Sequence, residues 1–151
     1  MPVKQISPTE AKVLLDSGQN YIYLDVRSTL EFDEGHVPGA LNIPLLHFDP
    51  SARQMTPNAD FLKVVEANLP KDAHIICGCA SGQRSDRAAA QMLQAGYLDV
   101  ANMSGGFKGA RDPIGHVIAA GWTDHGLPTS RAAPEGTTYE SLARGQRDSN
   151  P

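Results

Sequence analysis

The chain has 151 residues, 40% of them hydrophobic and 20% charged, and its net charge is −4. A chain of this length forms about one domain with a core of its own, and the acidic balance argues against nucleic acid or an anionic membrane as its main partner. Its uncharged stretches are too short to span a bilayer.

The amino-terminal third contains well-marked helix and strand signals. Met1–Lys4 lacks the apolar core of a signal peptide, so a cytoplasmic location is predicted. The Ser-Pro-Thr-Glu sequence at 7–10 has the pattern of a capping box, which predicts a helix that begins at Ser7 and ends near Gly18. Residues 21–26 are apolar almost throughout and predict a strand buried on both faces of a sheet. A short helix over 29–34 and a short strand over 40–43 follow.

The middle of the chain carries a second buried strand. Residues 47–57 are predicted to be irregular, and Asn58 is predicted to cap a helix that runs to about Asn68. A short apolar run predicts the strand over 74–78. The remaining elements are the loop Cys79–Arg84, a helix from Ser85 to Ala95 and a strand within 97–103.

This alternation of strands and helices predicts an α/β domain with a mostly parallel sheet over residues 1–128. Ligands of such sheets bind at the carboxyl ends of the strands, and the loop that begins at Cys79 has that position. From Thr129 onward the chain has few apolar residues, so residues 129–151 are predicted to be a flexible tail.

The loop from Cys79 to Arg84 has the composition of an anion-binding reactive site. Gly82 permits backbone conformations that a β-carbon would forbid, and Ser85 is predicted to cap the helix that follows. Backbone N–H groups and the helix dipole at such a point would stabilise a thiolate on Cys79. Arg84, and Arg87 one turn later, add positive charge. The alternative is a buried structural thiol at the end of a core strand.

The sequence Cys79-x-x-Gly82-x-Arg84-Ser85 resembles the active-site loop of the rhodanese-domain sulfurtransferases. Other motifs occur in the order and with the spacing of that family, and the resemblance covers roughly residues 5 to 128. These motifs are Leu24-Asp25-Val26-Arg27, Glu31-Phe32, Gly35-His36-Val37-Pro38-Gly39-Ala40, Asn42-Ile43-Pro44, Asn102-Met103-x-Gly105-Gly106-Phe107 and Trp122-x-x-x-Gly126-Leu127-Pro128.

The resemblance implies a five-stranded, mostly parallel sheet with helices on both faces. It also implies that Cys79 takes a sulfane sulfur from a small donor such as thiosulfate as a persulfide. The acceptor would be cyanide, a thiol or an acceptor protein, and neither a metal nor an organic cofactor is needed. Arg84 would help to bind the anionic donor. The backbone of Ala80, Ser81, Gly82, Gln83, Arg84 and Ser85 would hold the terminal sulfur.

Two other functions are compatible with this fold. Related phosphatases use a longer C-x5-R loop to surround a phosphate, whereas Cys79 and Arg84 are separated by four residues, which favours sulfur over phosphate or arsenate. A non-catalytic rhodanese module that binds a partner protein is the other alternative. The intact loop with its cysteine argues against it.

Asp25, Arg27 and Cys77 each have a structural and a functional interpretation. Asp25 and Arg27 are supporting residues of the pocket or, as favoured here, a buried ion pair that anchors loops. Cys77 is a resolving thiol or, as favoured, a small core side chain.

One departure from the family pattern is an insertion over residues 108–121, which separates the glycine pair from Trp122. It lies at the rim of the active site, with Arg111 or His116 near the donor, or it is a solvent-facing or oligomer-forming excursion.

Overall fold

The structure, a computed structural model, describes residues 2–145. Its strands are β1 (Lys4–Ile6), β2 (Tyr21–Asp25), β3 (Leu41–Asn42), β4 (Leu46–Asp49), β5 (Gln54–Pro57), β6 (His74–Gly78), β7 (Asp99–Met103), β8 (Ala110–Arg111) and β9 (Val117–Ala119). Its α-helices are α1 (Pro8–Leu15), α2 (Thr29–Glu34), α3 (Phe61–Asn68), α4 (Gln83–Gln94) and α5 (Tyr139–Ala143), and Thr123–His125 forms one 3-10 turn.

Five strands form a parallel sheet in the order β1-β7-β6-β2-β3, which confirms the predicted α/β fold. The central strand β6 contributes side chains to both faces: Ile75 packs in one core cluster and Ile76 in the other, and both are fully buried. This double burial explains the uninterrupted apolar run in the sequence. Helices α3 and α4 pack on one face, and α1 and α2 on the other.

The first helix begins as its sequence predicts. Ser7 Oγ accepts a hydrogen bond from the N–H of Glu10 at 3.1 Å, and the Glu10 carboxylate accepts one from the N–H of Ser7 at 2.8 Å. Helix α2 has the same reciprocal capping box between Ser28 and Glu31. Each box satisfies N–H groups that the helix itself cannot pair.

Two predicted caps are wrong in position. Asn58 Oδ1 does accept from the N–H of Asp60, but Asp60 holds the cap position of α3. Helix α4 begins at Gln83, after Gly82 in a left-handed conformation, so Ser85 lies inside its first turn. The Ser85 hydroxyl therefore does not cap the helix, and it faces Cys79 and Asn102.

Three strand pairings were not predicted. Residues 47–57, predicted to be irregular, belong with Leu46 to the antiparallel hairpin β4–β5. The insertion over 108–121 forms a second hairpin, β8–β9. Strand β1 adds to the edge of the main sheet beside β7. Each of these strands is four residues or shorter, too short for a periodic pattern to identify it.

The prediction of a flexible tail from residue 129 is wrong for residues 130–145. Ser130 pairs with His36 through two backbone hydrogen bonds, and the carbonyl of Thr137 accepts from the N–H of Asn42 at 2.9 Å. Helix α5 buries Leu142 completely in the core that α3 and α4 share. Backbone pairing and one apolar anchor thus hold a segment whose composition alone resembles a tail. Residues 146–151 lie outside the described part of the chain.

A buried ion pair joins the end of β2 to its surroundings. Both carboxylate oxygens of Asp25 accept hydrogen bonds from the Arg27 guanidinium, at 2.8 to 3.1 Å, and the two side chains are 2% and 1% exposed. Arg27 also donates to the Gly35 carbonyl at 2.7 Å and lies over the Phe107 ring. This geometry is that of an anchor between loops.

Replacing Asp25 by alanine should destabilise the protein by about 3–5 kcal/mol, because the buried Arg27 guanidinium loses its counter-ion. Urea unfolding measures the change. The control is Glu66→Ala, which breaks an exposed ion pair with Lys71 and should cost about 1 kcal/mol or less. Equal losses in the two variants would contradict the anchoring role.

Candidate active site

The Cys79 loop lies at the carboxyl end of the central strand. The carbonyl of Cys79 accepts from the N–H of Phe107 at 2.7 Å, and that of Ala80 accepts from Lys108 at 2.9 Å. Both carbonyls are thus hydrogen-bonded to the segment after β7. The Cys79 loop then leads directly into α4. The loop therefore has the arrangement predicted for it, at the edge of the sheet where ligands bind.

The sulfur of Cys79 lies next to a backbone N–H and a serine hydroxyl. Its side chain is 1% exposed, and Sγ lies 3.1 Å from the backbone nitrogen of Gly82, which donates to it, and 3.3 Å from Ser85 Oγ. Gly82 reaches this position with a φ of 105°, which only glycine adopts without strain. The amino terminus of α4 begins at the next residue, so its dipole favours negative charge on the sulfur.

The glycine pair after β7 permits the close approach of two backbone segments. Gly106 has a φ of 65°, and a β-carbon there would lie 2.6 Å from the carbonyl oxygens of both Cys79 and Ala80. Any side chain at this position would push against the first two residues of the active loop. The need for glycine at position 106 is thus explained by its contact with the loop.

Replacing Gly106 by alanine should lower the free energy of unfolding well beyond the effect of backbone strain alone. The matched control is Gly126→Ala, because Gly126 has a φ of 67° and no atom within 4 Å of an added β-carbon. The control should cost about 1–2 kcal/mol, and Gly106→Ala at least twice as much. Chemical denaturation compares the two, and equal costs would show that the loop adjusts freely.

Arg84 is held by a carboxylate that sequence analysis did not assign to the site. Its guanidinium forms two hydrogen bonds to Glu31, at 2.8 and 3.0 Å, and Glu31 also accepts from the N–H and hydroxyl of Ser28. Burial favours the neutral form of Glu31, but the bonds from Arg84 and Ser28 outweigh it and lower its pKa from 4.5 to about 2. Glu31 thus fixes Arg84 beside the loop and offsets its charge.

The pair of Arg84 and Glu31 should contribute stability that depends on pH. Because the pKa of Glu31 is lowered on folding, this contribution is fully present above pH 4.5 and is lost as the pH falls toward 2. The difference in free energy of unfolding between the wild type and Glu31→Gln, measured with urea, should shrink over that interval. The control Glu140→Gln, on an 86% exposed side chain, should show no such trend. A difference that stays constant with pH would contradict this assignment.

The other predicted loop residues lie as follows. Ala80 and Ser81 are half-buried between Cys79 and Gly82, and Gln83 is exposed at the start of α4. Arg87 is exposed one turn further along that helix. Arg87 therefore adds charge to this end of the helix rather than forming part of the loop.

Cys77 and the charged side chains of the insertion make their contacts with residues other than Cys79. Cys77 is fully buried with its Sγ 3.8 Å from Met92 Sδ, and burial raises the pKa of its thiol well above the usual range. Arg111 pairs with Asp124 at 2.5 Å, and His116 pairs with Asp112. The base of the insertion nevertheless reaches the loop, since Ala119 lines a surface depression with Ser81 and Gly82.

Sequence analysis also missed two polar residues behind the sulfur. Asn102, 2% exposed at the end of β7, lies 2.5 Å from Ser85 Oγ, and Gln5 of strand β1 contacts Asn102. Asn102 was part of a recognised motif, but only the pairing of β1 with β7 brings Gln5 beside it.

Over residues 2–145, no helix has both the length and the apolar character to cross a membrane. In the same part of the chain, no three metal-binding side chains of His, Cys, Asp or Glu gather at one point.

Comparison with known proteins gives consistent matches. Residues 7–112 match the model of the rhodanese-like domain. Thiosulfate sulfurtransferase 16, chloroplastic, of Arabidopsis thaliana is 37% identical over 124 residues, which cover 82% of this chain and 90% of that protein. Thiosulfate:glutathione sulfurtransferase of Homo sapiens is 37% identical, covering 68% of this chain and 89% of its own. The crystal structure of Rv0390 from M. tuberculosis has a TM-score of 0.72 at 27% identity, over 87% of this chain and 100% of that one.

Proposed function

Because this chain belongs to the rhodanese-like domain family, we propose that it is a sulfurtransferase in which Cys79 carries sulfane sulfur as a persulfide. The observation that carries the proposal is the position of Cys79 Sγ, 3.1 Å from the Gly82 backbone nitrogen at the start of α4. A sulfur held by an N–H donor at a helix terminus can accept and hold negative charge.

The reaction proceeds in two displacements on sulfur. The Cys79 thiolate attacks the outer sulfur of thiosulfate, the S–S bond of the donor breaks, and sulfite leaves with the bonding electron pair. The outer sulfur of the resulting persulfide carries the negative charge. An acceptor thiolate or cyanide then attacks that outer sulfur, and the Cys79 thiolate leaves with the electron pair of the persulfide bond. Neither step changes the total charge or requires an external oxidant.

The loop residues have separate roles in this cycle. Backbone N–H groups over residues 80–85 hold the terminal sulfur, and the Gly82 N–H that already donates to Sγ is the first of them. Arg84 helps to bind the anionic donor, and Glu31 fixes its guanidinium beside the loop. Asp25 and Arg27 keep the neighbouring loop in place, as their burial indicates.

Thiosulfate as donor and a small thiol as acceptor are supported by two relatives whose names include these substrates. Cyanide is the alternative acceptor, and an acceptor protein is a further one. The cytoplasmic location stays a prediction, since the Arabidopsis relative is named as chloroplastic. The four-residue spacing of Cys79 and Arg84 favours sulfur over the larger phosphate or arsenate, and the intact cysteine argues against a module that only binds a partner protein.

Incubation with thiosulfate should add the mass of one sulfur atom to the wild type and to Cys77→Ala, but not to Cys79→Ser. The reason is that the Cys79 sulfur accepts a hydrogen bond from the Gly82 N–H, whereas burial raises the pKa of the Cys77 thiol. Intact-mass spectrometry before and after treatment with glutathione measures loading and transfer.

Cys77→Ala is the matched control, because it removes the other cysteine two residues away. A sulfur that persists in Cys79→Ser would place the carrier elsewhere. Absence of loading in folded wild-type protein with any sulfane donor would favour the phosphatase or partner-binding alternatives.

A further inference from the structure

A chain of hydrogen bonds runs from the active sulfur to the protein surface. Cys79 Sγ lies 3.3 Å from Ser85 Oγ, which lies 2.5 Å from Asn102 Oδ1. Asn102 Nδ2 donates to Gln5 Oε1 at 2.8 Å, and Gln5 Nε2 donates to Asp86 at 2.7 Å. These five residues, Cys79, Ser85, Asn102, Gln5 and Asp86, are called the sulfur chain below.

The direction of the sulfur chain is fixed at its outer end. An ionised carboxylate only accepts hydrogen bonds, so Asp86 requires the amide N–H of Gln5, and the carbonyl oxygen of Gln5 then faces Asn102. The Gly82 carbonyl, 3.2 Å from Asn102 Nδ2, also accepts from the Asn102 amide. With both acceptors on its nitrogen side, Asn102 must present its oxygen to Ser85.

Ser85 therefore has one hydrogen and two competing acceptors. Asn102 Oδ1 is closer than Cys79 Sγ, at 2.5 Å against 3.3 Å, so the hydroxyl hydrogen goes to Asn102 while Cys79 is protonated. A thiolate on Cys79 attracts that hydrogen, since hydrogen bonds to a charged acceptor are the stronger ones. Asn102 Oδ1, on a side chain 2% exposed, then loses its donor.

We propose that Asn102 is a positioning residue of the sulfurtransfer reaction, which acts on Cys79 by withholding the Ser85 hydrogen from its sulfur. The proposal rests on the proposed function and concerns the same site. In the free enzyme Asn102 disfavours the bare thiolate. In the persulfide the charge lies on the outer sulfur, Sγ is neutral, and the Ser85 hydrogen returns to Asn102. Asn102 thus favours the sulfur-loaded form over the bare thiolate.

The test is the pH at which the Cys79 thiolate forms, followed by its ultraviolet absorbance without any sulfur donor. Asn102→Leu removes the competing acceptor and fills its space, so that water does not replace it. Ser85 can then donate to the sulfur, and the midpoint should fall by about one pH unit, the equivalent of one ordinary hydrogen bond. The same substitution in a Ser85→Ala background should leave the midpoint within about 0.3 pH units of Ser85→Ala alone.

Other groups that interact with the charge of Cys79 are the same in all these variants. They are Tyr23 of β2, Cys77 of β6 and Arg84 of α4. Burial raises the pKa of Cys77 well above the usual range of a thiol. Cys77 therefore stays protonated over the pH interval of the titration and adds no thiolate absorbance.

Gln5→Leu provides a second variant at the exposed end of the sulfur chain, in case Asn102→Leu does not fold. It removes one of the two acceptors that orient Asn102, and it should lower the midpoint by a smaller amount, again only when Ser85 is present. An unchanged midpoint in the folded variants, or an equal shift without Ser85, would overturn the proposal. Sulfur loading of the wild type tests the proposed function separately, because the titration uses no donor.

Discussion

The whole site depends on one constraint: the backbone must leave a strand buried on both faces and enter a helix within a few residues, without burying unpaired polar groups. The segment after β7 meets part of this requirement, because its N–H groups pair with the carbonyls of Cys79 and Ala80. The pairing needs a close approach that only a glycine at position 106 allows. The remaining N–H groups can then serve the sulfur.

Two ion pairs, one fully buried and one partly buried, hold the surroundings of the loop in place. Arg27 is neutralised by Asp25 and joins β2 to the Gly35 turn and the Phe107 ring. Arg84 is paired with Glu31, which also caps α2. Each arginine thus performs a structural task for a neighbouring element while it contributes to the electrostatics of the loop. This double use explains why charged residues occur so close to a buried thiol.

The sequence allowed the central fold and the position of the Cys79 loop to be predicted, but not the interactions between distant segments. The buried strands, the capping box at Ser7–Glu10 and the Cys79 loop are each encoded within a short stretch of sequence, and the structure contains each of them. Gln5 and Asn102 are 97 residues apart, and only the sheet order makes them neighbours. The segment over 130–145 is held by backbone partners and by Leu142, which composition does not reveal. The prediction that Ser85 caps α4 was wrong, because a serine at this point of the sequence can either cap the helix or face the Cys79 sulfur. The local sequence is the same in both cases.

The position of β1 has a consequence for the order in which the domain folds during translation. Strand β1 is synthesised long before β7, which ends at Met103 and is its only strand partner in the described sheet. At about 5–20 residues per second, roughly 5–20 s of translation pass before that partner emerges. Strands β6, β2 and β3 can associate earlier, so the nascent chain can hold three of the five strands, with an open edge at β6. The polar support behind Cys79 is therefore among the last parts of the domain to assemble.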